Sequence, residues 1–174
     1  RILTELGIGP SLIQRQEITN RHIRVGFTIS MMLGVLFYLI TYFGAPMAAW
    51  VFENPAVIPV LQKSAFLFIF SAIGVVSIAL LRKRLDFRSL FWVDIIGYTL
   101  GYGVVAISMA RMGFGVWSLV AGSLVQVLTT SLLAYGYTRH SLLPLWSWNE
   151  LRELAGFSVG MTATQIANYF ALQG

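Results

Sequence analysis

Charged residues in this chain are gathered into short clusters, and the clusters alternate with uncharged apolar runs long enough to cross a bilayer. No Asp, Glu, Lys or Arg occurs between Val25 and Phe52, nor between Met112 and Thr138. A run of about 18 or more apolar residues is the mark of a transmembrane helix, since lipid offers no partner to backbone N–H and C=O groups and a helix satisfies them internally. A soluble chain of 174 residues would need polar surface to cover its core. Here 57% of residues are hydrophobic, 11% are charged and mean hydropathy is +0.74, against roughly 25% charged in an ordinary soluble domain. The fold class that follows is all-α, a polytopic transmembrane helix bundle.

The pattern predicts the end of a helix over Leu3–Ile13 and then a polar connector reaching Arg24. Four helices follow, over about Val25–Phe43, Val57–Leu81, Ser89–Met109 and Val116–Tyr137, and a fifth opens near Leu154. Gly44-Ala45-Pro46 marks the end of the first helix or a kink in it. Met47–Phe52 either extends that helix or lies in the interface, where Trp50 would be at home. Glu53-Asn54-Pro55 is a turn signal, and Pro59 falls in the first turn of the next helix, where a missing N–H costs least. The chain does not begin with Met and stops inside an apolar run, so it reads as an internal piece of a longer protein.

Orientation comes from Lys and Arg. The connectors before the first helix, between the second and third, and after the fourth hold Arg15, Arg21, Arg24, Arg82, Lys83, Arg84, Arg88, Arg139 and Arg152. The two opposite connectors hold only Lys63 and Arg111. Alternate connectors must share a side, and the basic side is cytoplasmic. This asymmetry also accounts for the net charge of +5 without nucleic acid, for which the chain offers no basic stripe interleaved with aromatics.

With no cysteine, disulfides, thiol nucleophiles and Cys-based zinc sites are excluded. No H-E-x-x-H, G-x-S-x-G or paired-carboxylate motif is present, so the expectation is a non-enzyme with no metal and no cofactor. Asp94 is the one acidic residue inside an apolar segment. It reads either as a group near the interface paired with Arg88 or Arg84, or as a proton or cation site. Asp94, Gly97, Tyr98 and Gly101 share one helical face, and Gly97 to Gly101 is a small-xxx-small spacing that lets a neighbouring helix approach. Gly26, Ser30 and Gly34 repeat the device. Gly122, Gln126, Thr129 and Thr130 form a thin polar stripe on the fourth helix, and Ser158, Thr162, Gln165 and Tyr169 a fuller one on the fifth. Such stripes bond to other helices or line a wet cavity, and hydroxyls and amides would suit a sugar-bearing substrate. Arg24, Arg82, Lys83, Arg84 and Arg88 either set topology and attract anionic lipid or contact phosphate, which suits the guanidinium fork. His22 and His140, in polar connectors, read as bystanders; Trp146 and Trp148 read as interface anchors.

Three stretches together resemble the polysaccharide transporter branch, the Wzx-like oligosaccharide flippases of the multidrug/oligosaccharidyl-lipid/polysaccharide superfamily. They are Leu6-Gly7-Ile8-Gly9-Pro10-Ser11-Leu12-Ile13-Gln14-Arg15 running through Arg24, Leu81-Arg82-Lys83-Arg84-Leu85-Asp86-Phe87-Arg88, and Gly113-Phe114-Gly115-Val116-Trp117-Ser118-Leu119-Val120. The resemblance implies a fold of twelve to fourteen helices in two lobes around a central cavity. Residues 1–153 would hold the end of its second helix through the sixth and the following cytoplasmic connector, and residues 154–174 the start of the seventh. It further implies flipping of an undecaprenyl-pyrophosphate-linked oligosaccharide across the bacterial inner membrane for lipopolysaccharide or exopolysaccharide synthesis. Membrane lipids and other polysaccharide-assembly proteins would be its partners, and a proton, a sodium ion or the membrane potential would drive it. On that reading the substrate-binding candidates are Arg24, Arg84, Arg88, Ser158, Thr162 and Gln165, with Asp94 for ion coupling. The competing expectations are a drug or small-molecule cation antiporter of the same superfamily, an integral-membrane enzyme or polymerase acting on lipid-linked sugars, and a purely structural membrane subunit.

Overall fold

The computed structural model describes residues 19–141 and 143–147. Four helical runs among them are long and apolar enough to cross a membrane: Asn20–Val51, Val57–Lys83, Phe87–Arg111 and Val116–Thr138. The chain is an all-α, multi-pass membrane protein. The helix expected from Leu154, and with it Ser158, Thr162, Gln165 and Tyr169, lies outside the described residues, as do Leu3–Ile13 and Trp148.

The first span is one helix, α1 (Asn20–Val51), and Pro46 neither ends nor interrupts it. At about 1.5 Å per residue its 32 residues reach about 48 Å, well beyond a hydrocarbon core of about 30 Å. Its far turn, with Trp50 80% exposed, reaches past the hydrocarbon at the end away from the basic residues. The second span is built of α2 (Val57–Ser64) and α3 (Phe66–Lys83), with a one-residue break at Ala65 where the backbone stays helical. The third comprises α4 (Phe87–Tyr98), a π-helical stretch over Thr99–Ala106 and α5 (Ile107–Arg111). The fourth is α6 (Val116–Thr138), entered through Gly113 and Gly115, both at positive φ.

In order across the bundle, α1 packs on α3, α3 on α6, and α6 on the third span. Small residues set these contacts. A Cβ placed on Gly34 would stand 2.7 Å from Ala72 Cβ and 2.9 Å from Phe68 O, so α1 and α3 touch nearly backbone to backbone. Gly26, Ser30 and Gly34 are all buried, as their spacing predicts. The outward face of α1 carries Met32, Leu36, Ile40 and Phe43, exposed in a band that only lipid or another membrane helix can cover.

The larger apolar clusters lie at the basic end of the bundle. Val25 and Phe27 of α1 pack on Val76, Ala79 and Leu80 of α3. Beside them Leu81, Val93 and Ala134 join α3, α4 and α6. The helix ends and turns that carry Arg21–Arg24, Arg82–Arg88 and Arg139 therefore share one end of the molecule, as the alternation of charge requires; Arg21–Arg24, expected in a connector, already belong to the first turns of α1.

Candidate functional site

A groove of about 750 Å³ opens between the third span and α6, lined by Asp94, Ile95, Tyr98, Thr99, Tyr102, Gln126 and Val127. The glycines of the shared face create it. Gly97 and Gly101 are buried against α6, and Gly97 has no room for a Cβ beside Thr130 Oγ1. A Cβ on Gly101 would stand 2.5 Å from Gly122 O and 2.6 Å from Gln126 Cβ. With the glycines on the contact, Asp94 and Tyr98 fall on its rim, and Tyr98 is 60% exposed. The polar stripe of α6 is divided likewise: Gly122 packs, while Gln126 lines the groove.

From Thr99 to Ala106 the hydrogen bonds slip from the i→i+4 register to the wider π form, a rare one that is frequent at functional sites. Gly101 and Gly103 lie in this stretch and provide no side-chain packing to hold the α register. Across its start, Tyr98 and Tyr102 lean together with ring centroids 5.1 Å apart. Asp94 lies seven residues into the span, about 10 Å along it from the basic end. Gln126 is ten residues into α6 from the opposite end, about 15 Å deep. The groove thus runs from near the basic end to about mid-depth. A carboxylate, an amide and hydroxyls facing hydrocarbon there would each carry a cost of several kcal/mol in the worst case, so the groove faces water or other helices.

Among the described residues Asp94 forms no ion pair with Arg84 or Arg88. Those guanidiniums act instead on Asp86, the N-cap of α4. Its carboxylate accepts from Ser89 Oγ at 2.7 Å and from Ser89 N at 3.1 Å. These two bonds, helped by the charges of Arg84 and Arg88, hold the Asp86 carboxyl below its ordinary range. Arg84 and Arg88 stand exposed around the turn, whose Leu85 takes φ 54° and is 70% exposed. No group of three His, Asp or Glu capable of holding a metal occurs among the described residues.

Arg24 is engaged elsewhere. Its Nε donates to Leu143 O at 3.0 Å and Nη2 reaches Pro144 O at 3.5 Å. Beside it Thr28 Oγ1 donates to Arg24 O and accepts from Leu145 N, both at 2.9 Å. His140, read from sequence as a bystander, is 8% exposed, with Nε2 2.9 Å from Ser77 Oγ. The rings of Phe27 and Tyr135 close around it. Burial pushes its imidazole below the ordinary histidine range. Together these bonds strap the segment after α6 onto α1 and α3. Only the pairing of distant positions could have revealed this, and no local pattern encodes it. His22 caps α1, its Nδ1 2.6 Å from Thr19 Oγ1.

A family model described as "Polysaccharide biosynthesis protein" matches residues 1–174. The succinoglycan biosynthesis transport protein ExoT of Rhizobium meliloti is 29% identical over 167 residues, covering 92% of this chain and 32% of that protein. The teichuronic acid biosynthesis protein TuaB of Bacillus subtilis is 28% identical over 131 residues, 75% of this chain and 26% of its own length. The lipopolysaccharide biosynthesis protein WzxC of Escherichia coli is 24% identical over 170 residues, 96% of this chain and 34% of its own. The chain thus spans about a quarter to a third of the length of these curated relatives. No solved structure matches it.

Proposed function

The chain belongs to the polysaccharide biosynthesis protein family, and from that premise we propose that it is part of a non-enzymatic flippase. The cargo is an oligosaccharide linked to undecaprenyl pyrophosphate, carried from the cytoplasmic to the periplasmic leaflet of the bacterial inner membrane during surface polysaccharide synthesis. The observation that carries this reading is the groove from Asp94 to Gln126, whose carboxylate, amide and hydroxyls offer a hydroxylated head group partners between spans that hydrocarbon would not. Its support from outside the chain is ExoT, named as a transport protein of succinoglycan biosynthesis.

In this mechanism the basic end faces the cytoplasm. Arg84 and Arg88, exposed on the α3–α4 turn, draw in the pyrophosphate; their forked donors match its oxygens. The sugars enter the groove while the lipid tail stays in the bilayer. Residues 1–153 supply first-lobe helices and residues 154–174 begin the second lobe, whose rocking moves the opening between leaflets. Ser158, Thr162 and Gln165 are substrate-binding candidates by their sequence pattern alone and lie outside the described residues. Asp94 couples the movement to a proton or sodium ion, at about 2.3 kcal/mol per charge per 100 mV. Arg24 keeps the connector in place rather than meeting phosphate.

Deleting the full-length gene tests the proposal. Lipid-linked oligosaccharide should accumulate on the cytoplasmic face of the membrane, and the plasmid-borne gene should clear it. Loss of surface polysaccharide with no such accumulation would refute the flippase and favour an enzyme acting on the same lipid.

A further inference from the structure

We propose that Tyr98 and Tyr102, with Thr99 and Gln126, form a carbohydrate subsite that seats one pyranose ring of the head group; the assignment rests on the flippase reading above. A pyranose presents an apolar C–H face and a rim of hydroxyls, and its receptor needs an apolar plate beside paired donors and acceptors. The groove brings these together. Tyr98 and Tyr102 offer adjacent ring faces, their centroids 5.1 Å apart and tilted by 38°. Thr99 lies between them in sequence, and Gln126 faces them from α6. An amide carries two donors and an acceptor, a hydroxyl one donor and two acceptors, and both can serve vicinal hydroxyls. Asp94 closes the basic end of the groove with an acceptor-only group.

Size and openness favour a sugar as the occupant of the part lined by Tyr98, Tyr102 and Gln126, apart from any ion held at Asp94. A volume of about 750 Å³ falls within the range of small-molecule sites, roughly 300–1,000 Å³, whereas a bare cation needs several oxygens closing on one point. The π-helical stretch begins at Thr99, so the register change spaces Tyr102 from Tyr98 at the plate itself. Tyr98 is 60% exposed, so the ring face turned away from Tyr102 stands open to a ligand.

The test uses the full-length protein in lipid nanodiscs and two probes. One is the lipid-linked oligosaccharide recovered from the deletion strain; the other is the same polyprenyl pyrophosphate without sugar. Tyr98→Leu and Gln126→Leu should each weaken the sugar-bearing lipid by about 3- to 10-fold, the size of one lost ring or hydrogen-bond contact. Both variants should bind the sugar-free lipid like wild type. Tyr98→Phe, which keeps the ring, should stay within about 2-fold of wild type. Equal weakening of both probes, or no weakening of either, would overturn the subsite while the flippase reading stands. Failure of the wild-type protein to prefer either lipid over a plain phospholipid would overturn both.

Discussion

Two alanine substitutions two residues apart should have opposite effects. At Gly101 a Cβ would stand 2.5 Å from Gly122 O, 2.6 Å from Gln126 Cβ and 2.8 Å from Gln126 N. Two of those three atoms are backbone, so relief means moving α6 as a whole. Overpacking of this kind costs about 1–3 kcal/mol, and a rigid neighbour places Gly101→Ala toward the upper half of that range. At Gly103 the nearest atom is Thr99 Cγ2 at 3.7 Å, an ordinary contact. Gly103→Ala should gain roughly 0.5–1 kcal/mol from lost unfolded-state freedom. The same chemical change should therefore differ by about 2–4 kcal/mol between the two sites. Thermal unfolding of the full-length protein in detergent, followed by loss of the monodisperse size-exclusion peak, measures it. Gly101→Ala should melt several degrees below wild type, and Gly103→Ala at or above it. Equal behaviour of the two would show that the third span does not press on α6 at Gly101, and the groove would lose its geometric basis.

Further outcomes follow from the same contacts. Thr28→Val leaves Leu145 N–H without its acceptor and should cost about 1–3 kcal/mol by the same melting assay, while Thr28→Ser should cost little. Burial holds the folded-state pKa of His140 below its unfolded value. Its contribution is therefore fully present above the unfolded pKa, about 6.5, and is lost as pH falls through the folded pKa. Melting temperature should drop on acidification in the wild type, and the drop should shrink in His140→Gln. Asp94→Asn should abolish complementation of the deletion strain at normal protein levels, and full activity would remove Asp94 from the coupling step.

How much was legible in the sequence depends on which solvent reads it. Lipid leaves a backbone few options, so uncharged runs located three spans to within two residues, and Val116–Tyr137 differs from α6 by one; the first, expected over Val25–Phe43, is longer at both ends. Gly97 and Gly101 were legible as a packing motif because close approach demands small residues. The continuation of α1 through Pro46 was left open, since proline removes one hydrogen bond and neighbouring turns can hold the helix. The π register was not legible: it depends on how the third span settles against α6, and glycines alone do not announce it. The bonds that strap the segment after α6 onto α1 and α3 were missed for a related reason. Arg24 read as either a topology signal or a phosphate contact, and His140 as a bystander, because their partners, Leu143, Pro144 and Ser77, are far away in sequence. Charge composition identifies a cation but not what it faces.

The central claim is that the basic connectors share the cytoplasmic face while the turns at Asn54 and Met112 face the other side. Single cysteines at Asn54, Leu85, Met112 and Ser141, placed in a cysteine-free full-length protein, test it with a membrane-impermeant thiol reagent on intact and opened cells. Labelling of 54 and 112 in cells with a permeable outer membrane, and of 85 and 141 only after the inner membrane is opened, is the predicted result. Labelling of positions 54 and 85 from the same side would contradict it.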